Sequence, residues 1–176
     1  MAAVVVLSGL ILTACGRGQE YQLTEEDRAR IPAALSVQNV RGCPRVAIRS
    51  GAQSLTRFAP GRDGIPEAVT VQAAITETAR ECSPSGRTMT MRVGVAGRIV
   101  RGPAGDGTVT VSLPVRVVAV LRETEVAYSE LQRVTLEVPA ATSFTDFRVV
   151  DDQVTFEVPD DASGASYTIL VGFDPS

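Results

Sequence analysis

The chain of 176 residues has no histidine, no tryptophan and no lysine, and all 17 of its basic residues are arginine. Without histidine there is no Ser-His-Asp or Cys-His nucleophile pair and no imidazole to ligate zinc. Without lysine there is no Schiff base, no Ser-Lys dyad and no phosphate-loop lysine. Arginine stays protonated and cannot act as an ordinary base. Any catalysis would have to rest on carboxylates, tyrosines or a cofactor. Aromatic residues make up only 5% of the chain. The sequence therefore holds little for a sugar-binding platform of exposed rings, and Tyr128, Tyr167, Phe147 and Phe173 read as core. The net charge is −3 and basic residues are not clustered, which argues against a nucleic-acid partner.

What the chain does have begins at its N-terminus. Ala2 to Leu12 is an almost unbroken apolar run. It falls short of the roughly 20 residues a bilayer span needs, but it suits the hydrophobic region of a secretory signal. No cation precedes it. It ends in Leu12-Thr13-Ala14-Cys15, with a small residue before the cysteine where a signal peptidase tolerates little bulk. These four residues resemble the lipobox of bacterial lipoproteins. That resemblance implies cleavage between Ala14 and Cys15, lipidation of Cys15, and attachment to a membrane through acyl chains. Residues 1–14 then form the signal peptide and 15–36 a lipidated tether. Within the tether, Thr24 followed by Glu25-Glu26-Asp27 offers a helix cap with acids in the first turn. A short helix is expected from Glu25 to Arg30, limited by Pro32. Fully extended, the tether would reach about 65–70 Å.

Residues 37–176 are expected to form one domain, large enough to fold without a metal. With Cys15 lipidated, Cys43 and Cys82 remain to pair in an oxidising compartment, the alternative being two buried free thiols. A disulfide there would close a loop of roughly 40 residues, worth about 4 kcal/mol by chain entropy. The Cys-x-x-Cys spacing of redox and zinc sites is missing. No metal site and no cofactor are expected.

From about residue 45 the apolar pattern has period two. Met89, Met91, Val93 and Val95 alternate with Thr88, Thr90, Arg92 and Gly94. Val109 to Val117 and Tyr167 to Phe173 alternate in the same way, as half-buried antiparallel strands do. Further candidates are Arg45–Ile48, Leu55–Phe58, Val69–Arg80, Val126–Val138, Phe144–Val150 and Val154–Val158. Pro114 would mark an edge strand or a bulge. The wavering parity around Glu130–Arg133 suggests another bulge. About seven to nine short strands predict an all-β, antiparallel two-sheet sandwich of immunoglobulin or fibronectin III type, with a small β-barrel as the alternative. Val134–Pro139 and Val154–Pro159 differ at one position, an echo that two strands of similar burial would produce.

Several clusters have the look of chemistry. Gly102 to Gly107 is glycine-rich, but neither a lysine nor a helix follows, so it reads as a hairpin tip. Asp151-Asp152 and Asp160-Asp161 lack calcium-loop spacing and read as solvated turns. Glu123 and Glu125 share a face of an extended chain at a spacing compatible with paired carboxylates, as do many acids on exposed strands.

Cys43-Pro44-Arg45-Val46-Ala47-Ile48 and the ending Ser163 to Phe173 are similar to stretches of uncharacterised alphaproteobacterial β-sandwich lipoproteins. That resemblance implies compartment and fold and brings no activity. The expectation is a non-catalytic interaction or accessory module at the periplasmic face of the outer membrane, touching an envelope protein and no nucleic acid. Gly16, in place of the aspartate that favours inner-membrane retention in enterobacterial lipoproteins, points the same way; the outer face of the plasma membrane is the alternative address. A carrier of a small ligand or lipid is the second expectation, and a carboxylate-based enzyme the third.

Overall fold

Alternation of small β-branched residues with polar ones carries the described residues through eight strands. They are β1 (Arg45–Ile48), β2 (Ser54–Phe58), β3 (Val69–Ser85), β4 (Thr88–Arg101), β5 (Val109–Leu121), β6 (Glu125–Val138), β7 (Phe144–Glu157) and β8 (Tyr167–Phe173). The computed structural model describes residues 42–175. The expected signal peptide, Ala14, Cys15, the expected tether and the expected helix over Glu25–Arg30 lie outside the described residues.

The strands form two four-stranded sheets, the first in the order β1-β8-β5-β6 and the second in the order β2-β3-β4-β7. All pairings are antiparallel except β1 with β8. The two sheets pack as a sandwich and do not close into a barrel. Three consecutive strands, β2 to β4, stay in one sheet, whereas an immunoglobulin chain changes sheet after its second strand.

The inner faces bury Met91, Val93, Val95 and Ile99 of β4 against Leu113, Val115 and Val117 of β5 and Ile169 and Val171 of β8. Each such side chain contributes about 1.5–3 kcal/mol when fully withdrawn from water. Two aromatic pairs join the sheets, Phe147 with Phe173 at 5.9 Å and Phe156 with Tyr167 at 4.2 Å between ring centroids. The expectation that Phe147, Phe173 and Tyr167 are core residues holds. A disulfide joins Cys43, just ahead of β1, to Cys82 on β3 in the opposite sheet.

The strands differ from the sequence expectation where bulges intervene. Phe144–Val150 and Val154–Val158 are one strand, because Asp152 and Gln153 together oppose Arg92 and keep both halves in the ladder. The bulge shifts the inward parity from Phe147, Val149 and Asp151 to Val154 and Phe156. In β6 the extra residue is Ala127, since Val126 pairs with Val120 and Tyr128 with Ala119. Through Glu130–Arg133 the register is continuous. The parity wavers there because β6 is an edge strand with most side chains exposed. Pro114 sits in β5, between β8 and β6 rather than at an edge. It is tolerated because the β8 ladder ends at Val115–Phe173, one residue away, and its carbonyl accepts from Asp174 N at 2.9 Å.

Gly102 to Gly107 is not a hairpin tip but the crossing from β4 in the second sheet to β5 in the first. Arg101 organises it. The guanidinium donates from Nη1 to Gly105 O (2.5 Å) and Gly107 O (2.7 Å), and from Nη2 to Val138 O (2.9 Å) and Pro139 O (2.5 Å). Its Nε donates to Thr142 O at 3.2 Å. One side chain thereby clasps the β4–β5 and β6–β7 crossings through backbone carbonyls alone. Gly102 is needed here: a Cβ at that position would lie 2.2 Å from Val69 O.

The β5–β6 hairpin turns through Arg122 and Glu123, both at positive φ (48° and 66°), with Thr124 N donating to Leu121 O. This is the geometry that normally selects Asn-Gly. Arg122 is held in it by Asp161, whose carboxylate accepts from Nη2 at 2.7 Å, and by its own N–H on Ser166 O.

Candidate functional site

Outward positions of the first sheet line up in rows by strand register. One row reads Arg45, Thr168, Val120, Val126 across β1, β8, β5 and β6. The next reads Ala47, Leu170, Val118, Ser129. In the third, Gly172 pairs with Arg116 and Arg116 with Leu131, while Arg49 follows β1 with its N–H on Val171 O. An outward strand face is ordinarily polar, yet here Val118, Val120 and Leu170 form an apolar floor. Val120 is 8% exposed although it stands apart from the core cluster between the sheets.

These rows line a half-open groove of about 590 Å³, within the range of small-ligand sites. The β1–β2 turn bounds it where Ala52 packs on Gly172; a Cβ on Gly172 would come within 2.5 Å of the Ala52 Cβ. The β5–β6 turn contributes Glu123 and Thr124. The Ala127 bulge brings in Val126: it sends Val126 to the outer face while Tyr128, two residues on, turns to the inner one. Val126 is left 59% exposed.

Three arginines rim the floor. Arg116 gives its Nε to the Asp174 carboxylate and its Nη1 to Ser129 Oγ at 3.2 Å. Arg45 donates Nε to Thr168 Oγ1 at 3.1 Å. Neither Arg45 nor Arg49 has a carboxylate partner among the described residues. The groove thus combines an aliphatic floor with two arginines, Arg45 and Arg49, that have no carboxylate partner among the described residues, and with the carboxylates of Glu123 and Asp174, the latter on Arg116.

The acidic candidates fall elsewhere. Glu123 lines the groove and Glu125 does not, so the structure does not gather them in one site. Asp160 pairs with Arg87 at 2.5 Å and Asp161 with Arg122. The hydrogen bond from Arg122 holds the Asp161 carboxyl below its usual range. Asp152 is exposed, but Asp151 is not a solvated turn residue: it is 1% exposed. Its oxygens accept from Tyr128 Oη at 2.9 and 3.1 Å, and one also accepts from Gln153 N at 3.1 Å. This contact links an edge strand of each sheet. Burial, and then the Asp151 carboxylate, push the Tyr128 hydroxyl well above its usual range and keep it a donor. Among the described residues no group of three or more Cys, Asp or Glu could hold a metal ion, and no helix is long and apolar enough to cross a membrane.

Sequence reasoning missed the groove, though a signal was present. Val117 to Leu121 and Ile169 to Val171 are apolar on both faces, as strands covered on both sides are, and the period-two reading used only their inner half. Fold and site together define an all-β sandwich with an amphipathic outer groove. Comparison of the chain with family models, curated proteins and solved structures finds no match in any of the three.

Proposed function

We propose that the protein is a non-catalytic binding module of the bacterial cell envelope, anchored through acyl chains on Cys15, that works through the outer groove of its first sheet. The observation that carries this reading is the apolar floor of Val118, Val120 and Leu170 on a solvent face, rimmed by Arg45 and Arg49. Burial of that floor by a partner would recover the cost of exposing it. The envelope address rests on the lipobox resemblance and agrees with the Cys43–Cys82 disulfide, which suits an oxidising compartment. The periplasmic face of the outer membrane is the proposed location. The filled layer between the sheets weighs against a carrier that encloses its ligand there.

Photo-crosslinking groups at Ser129 and Thr168, compared with groups at Arg148 and Thr155 of the second sheet, test the binding face in living cells. Capture of a defined envelope component from the first pair only is expected. Equal capture from both faces, or none, would refute the assignment. In parallel, a Cys15→Ala variant should leave the membrane fraction, and unchanged sedimentation with membranes would remove the anchor.

A further inference from the structure

Resting on the reading of the groove as a binding face, the geometry points to its ligand: a single-chain anionic amphiphile, with a carboxylate or phosphate monoester head on an alkyl tail. The head sits at the Arg49 guanidinium, and the tail crosses Leu170, Val118 and Val120 toward Val126. Three rows spaced two residues apart extend about 13 Å along the strands, and the floor is two strands wide, about 5 Å between them. That is a slot for one medium-length alkyl chain.

The chemistry of the floor discriminates among occupants. A peptide laid along it would bring backbone N–H and C=O groups that require partners, and over Val118, Val120 and Leu170 the floor offers only methyls, the polar groups lying at the rim. An alkyl tail has no such requirement. The head is anionic because Arg49, at the end of the slot beside Gly172, has no side-chain partner among the described residues; Arg45 lies at the other end, in the row of Val120, on the Thr168 hydroxyl. Arg116, already held by Asp174, is a fixed second cation across Gly172. Val126, exposed on an edge strand and aimed outward by a bulge, gains a partner in the tail.

The test titrates the full chain with dodecanoate, dodecyl phosphate and dodecanol, each below its aggregation concentration. Binding is read by calorimetry and by the methyl resonances of Val118, Val120, Val126 and Leu170. Saturable binding at one site is expected, with those methyls shifting, and dodecanol binding roughly tenfold to a hundredfold more weakly than either anion. Arg49→Gln should weaken both anions by a similar factor while leaving dodecanol and the melting temperature unchanged. Val118→Asp should abolish all three. The inference is overturned if no saturable shift occurs at these methyls, if the shifts fall elsewhere, or if dodecanol binds as well as dodecanoate. Capture of a protein by crosslinkers in the groove, without amphiphile binding, would overturn this inference and leave the binding-module reading standing.

Discussion

Replacing Arg101 by methionine keeps most of the side chain's apolar stem and deletes its five N–H donors, all of which are used on backbone carbonyls. The bonds to Gly105 O and Val138 O are part-buried, and both residues are buried, Val138 completely. A buried acceptor that loses its donor costs about 1–3 kcal/mol. The other three carbonyls, of Gly107, Pro139 and Thr142, are exposed at their bonds and can rehydrate, so they add little. The total is about 3 kcal/mol, which for a domain of this size lowers Tm by roughly 8–15 °C. Thermal unfolding followed by circular dichroism measures it. Because no carboxylate takes part, the loss should persist in high salt, unlike that of a surface ion pair. Arg101→Lys, with three donors at one point instead of a planar fork, should recover only part of it. A methionine variant melting within about 3 °C of the parent, or a lysine variant equal to the parent, would refute the clasp as a stabilising device.

Cys82→Ser should cost about 2–5 kcal/mol under oxidising conditions; equal melting temperatures of the parent with and without reductant would contradict it. Tyr128→Phe leaves the buried Asp151 with the Gln153 N–H as its donor among the described residues, and a loss of about 1–3 kcal/mol is expected in urea titration. The raised pKa of Tyr128 has its own signature. Its stabilising effect is fully present below the unfolded tyrosine pKa, about 10, and is lost as pH rises further, because only the unfolded chain then releases the proton. Stability should therefore fall more steeply above that pH in the parent than in Tyr128→Phe, and identical slopes would remove the assignment. Glu123→Gly relieves a left-handed residue in the β5–β6 turn and should raise stability by about 1 kcal/mol by chemical denaturation; a loss would show that the Glu123 side chain outweighs the strain.

The inner faces of the sandwich were legible because they obey one rule, alternation. Arg45–Ile48 and Tyr167–Phe173 have the bounds the pattern implies, and the Cys43–Cys82 pairing is present. The rule failed where one inserted residue reverses parity. Ala127 moved the β6 bulge away from Glu130–Arg133, and Asp152-Gln153 made one strand look like two with acids between them. Asp151 was misread for the same reason: a carboxylate beside a parity break looks like a turn until its partner, Tyr128 on the other sheet, is seen. Arg101 was invisible because its acceptors are carbonyls, and a carbonyl belongs to every residue type alike. The groove depends on register among four strands that are distant in sequence, which no local pattern encodes.

The Cys43–Cys82 bond also determines how the molecule carries load. Tension arriving along the preceding chain would otherwise fall on β1, a four-residue strand at the margin of its sheet, which could be stripped from β8 one bond at a time. Covalent linkage to Cys82 diverts that tension ahead of β1 into β3, a strand of seventeen residues. A pull applied ahead of Cys43 is thus delivered to the second sheet, and the groove, built partly on β1, is spared it.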